Sequence, residues 1–99
     1  MLNIQKSVEN GSASFALSGR LDTMTAPDLE KALTESLSGV SELTLDFENL
    51  DYISSAGLRV LLSAQKLMSK QGGMKLVHVN ETIMEIFEVT GFSDILTIV

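Results

Sequence analysis

The sequence predicts an α/β domain built on a single mixed β-sheet, and three observations carry that expectation. Short apolar-alternating segments regularly give way to segments with apolar residues at helical spacing. An Asn10-Gly11 pair near the start is a strong hairpin signal, because both residues tolerate positive φ. Capping residues and glycines then bracket each helical stretch. The expected order is ββαβαβαβ: an N-terminal antiparallel hairpin, then a mostly parallel remainder with about three to four helices and right-handed crossovers. A chain of 99 residues has room for one domain, taken as 1–99.

Residues 2–8 alternate loosely up to Glu9-Asn10-Gly11-Ser12. In 12–18, Ala13, Phe15 and Leu17 alternate with small polar residues, and Gly19-Arg20-Leu21-Asp22 closes this second strand. Thr25-Ala26-Pro27-Asp28 reads as a helix start, with Thr25 as N-cap, Pro27 in the first turn and an acid three residues after the cap. Leu29, Ala32, Leu33 and Leu37 follow at helical spacing toward Gly39, a C-cap candidate. Residues 43–47, Leu-Thr-Leu-Asp-Phe, form the next strand. A second helix is expected from Ala56 to about Lys70, with Leu58, Leu61, Leu62 and Met68 on one side and Gly72-Gly73 beyond its end. Residues 74–79, MKLVHV, read as a strand. Asn80 caps a third helix bearing Ile83, Met84, Ile86 and Phe87, which Gly91 ends, and 95–99 is β-prone.

Composition narrows the function. Apolar residues at 44% and charged residues at 20% fit a packed domain rather than a disordered chain. A net charge of −6, with the seven basic residues scattered, argues against binding nucleic acid through its phosphates. The absence of cysteine removes disulfides, thiolate catalysis and Cys-type zinc sites. Lys6 and Glu9 interrupt the N-terminal stretch and no long apolar run follows, so neither a signal peptide nor membrane insertion is expected. A cytoplasmic location follows as the expectation.

Enzymatic constellations are missing. The one histidine, His78, lies in an apolar strand, and it is expected to be structural, with backbone or water partners. No Walker A loop, G-x-G-x-x-G or G-x-S-x-G occurs, and a metal site would have to be assembled from carboxylates alone, so no metal is expected. The segment that stands out is Asp51-Tyr52-Ile53-Ser54-Ser55-Ala56-Gly57-Leu58-Arg59, at the passage from a strand and loop into a helix. One serine there can cap the helix by accepting a backbone N–H bond. A serine hydroxyl at a helix N-terminus equally occupies a position that favours negative charge. Gly57, in the first turn, costs about 1 kcal/mol relative to alanine, which suggests a close approach by backbone or by a partner. Met24, in the loop before the first helix, is either core filler or an exposed partner contact.

On these residues the chain resembles the STAS domain family and, within it, the bacterial anti-sigma factor antagonists. The resemblance spans essentially the whole chain. It rests on Gly19-Arg20-Leu21-Asp22, then Leu43-Thr44-Leu45-Asp46-Phe47 leading into Tyr52-Ile53-Ser54-Ser55-Ala56-Gly57-Leu58, and Ile86-Phe87-Glu88-Val89-Thr90-Gly91-Phe92. The family's switch motif commonly reads Asp-Ser-Ser/Thr-Gly-Leu, and the serine after the Asp is phosphorylated. Alignment on Gly57-Leu58 places that serine at Ser55, with Ser54 where many members have Asp and Ala56 where they have Ser or Thr. Asp22 matches a family acid expected near the phosphorylated serine; read alone, it could as well be a turn or capping residue. Asp46 ranks below it.

The resemblance implies partner switching without catalysis and without a cofactor of the chain's own. The unphosphorylated form would bind an anti-sigma factor that is also a serine protein kinase, and so free the sigma factor. Phosphorylation of Ser55 would end binding, and a PP2C-type phosphatase would reset it. The implied contact surface comprises Asp22, Met24, Ser54, Ser55, Ala56 and Gly57. The alternative within the family is a constitutive binding subunit of a transporter or lipid-transport complex. A small nucleotide hydrolase using Ser55 or Asp46 is the enzymatic competitor, with no phosphate loop to support it.

Overall fold

A computed structural model describes residues 2–99. Strands β1 (Leu2–Glu9) and β2 (Ser12–Leu21) form the hairpin, joined at Asn10 and Gly11, whose φ values are +48° and +82°. Then follow α1 (Ala26–Ser36), β3 (Glu42–Ile53), α2 (Ser55–Gln71), β4 (Gly73–Val77), α3 (Glu81–Thr90) and a 3₁₀ turn at Phe92–Asp94. The sheet order is β1-β2-β3-β4; β1 and β2 are antiparallel, and the other two pairings are parallel. Both parallel connections step across the sheet in one direction, so right-handed crossovers bring their helices to one face. The burial pattern agrees. Ala13, Phe15, Leu17, Leu43, Leu45, Phe47, Met74 and Leu76 are buried on the helix side. Their neighbours Ser12, Ser14, Glu42 and Lys75 are exposed on the other.

Three helices close the core. From α1 come Leu29 and Leu33; from α2, Leu58, Leu61, Ala64 and Met68; from α3, Ile83 and Phe87. Phe87 meets Phe47 of β3 with ring centroids 6.3 Å apart. Asn80 caps α3 as expected, its side chain accepting from the Ile83 N–H at 2.9 Å, and Gly91 ends the helix in the left-handed conformation.

Four expectations are corrected. β3 does not stop at Phe47 but runs to Ile53, because extra residues are absorbed where its register against β2 shifts, once between Ala16 and Ser18 and again between Gly19 and Arg20. These shifts break the period-two alternation that sequence patterning relies on. β4 ends at Val77, since His78 has φ +58°. The closing strand at 95–99 shrinks to a single parallel bridge between Leu76 and Ile98, in which Leu76 donates to Thr97 O and accepts from Val99 N–H, each at 2.9 Å. Finally, Leu37 rather than Gly39 is the C-cap of α1, and Gly39 lies in the loop at φ +78°.

Candidate functional site

The C-terminal ends of β2 and β3 lie side by side, with Arg20 paired to Tyr52 and Leu21 to Ile53. One further bond, from the Ser54 N–H to the Leu21 carbonyl at 2.8 Å, carries the pairing past the last strand residue. The loop that opens at Asp22 and the helix that opens at Ser55 are thereby held next to each other. Sequence motifs more than 30 positions apart become one surface.

The Asp22 loop is locked by its own hydrogen bonds. The Asp22 N–H donates to Thr25 Oγ1 at 2.8 Å, and that hydroxyl donates to the Arg20 carbonyl at 2.8 Å. Thr25 holds the expected N-cap position of α1, but its hydroxyl makes no cap bond and instead ties the loop to β2. Asp22 Oδ1 accepts from the N–H groups of Met24 (3.0 Å) and Thr25 (3.1 Å). Partial desolvation acts to raise the Asp22 pKa, but these bonds, with help from the Thr25 hydroxyl, outweigh it and hold the carboxyl below its ordinary value. Asp22 Oδ2 lies 3.8 Å from Arg20 Nε, and the Arg20 guanidinium carbon sits 4.4 Å from the centroid of the Tyr52 ring. Met24 is 83% exposed, which removes core filler as its explanation.

The two serines divide the roles that the sequence left open. Ser54 is the N-cap, and its Oγ accepts from the Gly57 N–H at 3.4 Å. Ser55 is the first residue of α2 and is exposed. Among the described residues no protein group hydrogen-bonds its side chain. Ala56 is half-buried against the core. Gly57 is buried, and a Cβ there would come within 2.7 Å of Leu21 Cγ and 2.9 Å of Ile53 Cγ1. The close approach anticipated at Gly57 is made by the chain's own core, at Leu21 and Ile53.

Asp46 is not part of this surface. Its Oδ1 accepts from the Glu48 N–H and lies near His78 Nδ1, at 2.9 Å in each case. Desolvation acts to raise its pKa, but the Glu48 and His78 interactions override it and keep the carboxyl low. The His78 ring is exposed and bonded to a carboxylate, contrary to the structural histidine with backbone or water partners that was expected. Sequence reading also missed the Arg20–Tyr52 stack and the Thr25 lock. A signal existed only for the second, in the Asp-x-x-Thr spacing of residues 22–25.

Comparison with known proteins now adds the family. The STAS domain model matches residues 3–99. The chain belongs to the STAS domain family. A curated relative, the anti-sigma-B factor antagonist of Bacillus subtilis (strain 168), is 28% identical over 98 residues, covering 98% of this chain and 90% of that protein. The crystal structure of an anti-sigma factor antagonist from Mycobacterium paratuberculosis superposes with a TM-score of 0.89 at 21% identity, over 99% of this chain and 85% of that one. The Bacillus cell fate determinant SpoIIAA in its phosphorylated form superposes at 0.75 with 17% identity, over 98% and 91%. Among the described residues no helix is long and apolar enough to cross a membrane.

Proposed function

We propose that this STAS protein is an anti-sigma factor antagonist that works by partner switching, with Ser55 as the phosphorylated residue. The observation that carries the reading is the division between Ser54 and Ser55. The cap bond goes to Ser54, so Ser55 stands exposed at the start of α2 with its hydroxyl available to a kinase. The relatives named as anti-sigma factor antagonists support the same reading. The partner is an anti-sigma factor with serine kinase activity, a PP2C-type phosphatase reverses the modification, and the setting is the cytoplasm. The chain itself acts by binding and not by catalysis.

The contact surface comprises Asp22, Met24, Ser54, Ser55 and Ala56, held in place by the buried Gly57. A phosphate at Ser55 adds about −1.5 to −2 charges and three acceptor oxygens. The first turn of α2 tolerates that charge, because its free N–H groups and the helix dipole favour an anion. A partner packed against the same patch does not, since it would have to desolvate the phosphate beside Asp22. A penalty of about 3 kcal/mol weakens a complex about a hundredfold.

The test is intact-mass analysis after incubation with ATP and the serine kinase encoded nearest to this protein, for wild type, Ser55→Ala and Ser54→Ala. One phosphate on wild type and Ser54→Ala but none on Ser55→Ala is the expected result. Phosphate retained on Ser55→Ala would move the switch to another residue, and none on any form would favour a constitutive binding subunit.

A further inference from the structure

A second cluster of polar side chains lies where β4 ends beside β3. β4 stops at Val77, opposite Asp46, while β3 continues for seven more residues, roughly 20 Å along the strand. In the step left where β4 ends, His78 adopts φ +58°, a left-handed conformation that histidine tolerates better than most side chains, and its ring lies against β3. The register shift there falls between Asp46 and Asn49, with Glu48 inside it, and the Glu48 N–H turns back to Asp46 Oδ1.

We infer that Asp46, Glu48 and His78 form a binding site for a divalent transition-metal ion of the zinc type. One donor atom from each of the three lies within 4.8 Å of the other two. Donors on a single zinc ion sit about 2.0–2.2 Å from it, hence about 3.3–3.5 Å from each other. His78 Nδ1 and Asp46 Oδ1, now 2.9 Å apart, need to open by only a few tenths of an ångström. Glu48 is exposed, and its side chain can swing in from the solvent side. Two carboxylates neutralise a dication, and the imidazole selects a borderline metal over magnesium or calcium, which prefer all-oxygen shells. With the His78 side chain 58% and the Asp46 side chain 29% exposed, water can complete the coordination. Three ligands on an open surface make a site of micromolar rather than nanomolar strength.

Isothermal titration of the full chain with zinc chloride, beside His78→Asn and Glu48→Gln, tests the assignment. Asparagine tolerates the left-handed backbone, so His78→Asn removes the imidazole while sparing the fold, which circular dichroism verifies. The expected result is one zinc per chain, weakened at least about tenfold by His78→Asn and severalfold by Glu48→Gln. In parallel, zinc should shift the ring signals of the only histidine and saturate at one equivalent. Absence of saturable binding up to millimolar zinc would overturn the site, as would equal affinity in wild type and both variants.

Discussion

The N–H of Ser54 donates to the carbonyl of Leu21 at 2.8 Å, and this bond extends the β2–β3 pairing so that the Asp22 loop lies beside the start of α2. The proposed switch has no moving part in this geometry. The acid and the phosphorylatable serine each follow a residue of the same hydrogen-bonded pair, so adding a phosphate changes the charge of a preformed surface.

Phosphorylation of Ser55 should therefore leave the fold unchanged. Amide chemical shifts should move in residues 20–25 and 52–59 and stay in place along β1, β4 and α3. Shifts spread through the core would mean that the modification acts by rearrangement.

Ser55→Asp should weaken binding to the kinase partner while keeping the unfolding midpoint of wild type, because an acid suits the first turn of α2. Ser54→Ala should do the reverse to stability. It loses the cap and costs roughly 0.5–1 kcal/mol, the lower part of the usual range, since the bond is long at 3.4 Å. Urea denaturation of the two variants separates these outcomes.

Gly57→Ala sets two magnitudes against each other. Alanine would favour the helix by about 1 kcal/mol. Its methyl group, however, would meet Leu21 Cγ at 2.7 Å and Ile53 Cγ1 at 2.9 Å, and such overpacking costs about 1–3 kcal/mol. The clash should win, and the variant should unfold at lower urea than wild type.

Asp22 offers a pH test. Its folded pKa is lowered from 3.8, so its contribution to stability is present in full above that value and is lost as pH falls through the folded pKa. The stability difference between wild type and Asp22→Asn should be constant near neutrality and disappear in acid. A difference that persists below both pKa values would mean that packing, not charge, makes the loop.

The His78 ring should titrate above 6.5, because its hydrogen bond to Asp46 and the charge of that carboxylate favour the imidazolium, with partial desolvation opposing and Glu48 adding to the effect. The stability this pair contributes is present below 6.5 and is lost as pH rises through the folded pKa. NMR titration of His78 should show the raised value in wild type and a fall toward 6.5 in Asp46→Asn.

The sheet and helices were legible because their signals are local. Alternation of Ala13, Phe15 and Leu17, the Asn10-Gly11 turn and the Asn80 cap each act within a few residues. The later half of β3 was not legible, because two register shifts disguise its alternation and its pairing with Arg20 and Leu21 is a tertiary fact. The two serines could be flagged but not told apart, since which one caps depends on backbone angles. That Asp46 and His78 would meet was not legible for a related reason: they are 32 positions apart, and only the early end of β4 brings them together.

Each strand of the sheet lies next to the one that precedes it in the chain. No strand has to hold a place open for a distant partner, so the loop-closure cost of every pairing is modest and the fold can be laid down in order as the chain is synthesised, at about 5–20 residues per second. On a ribosome, β2, β3 and the start of α2, which carry Asp22 and Ser55, would emerge before β4 and α3.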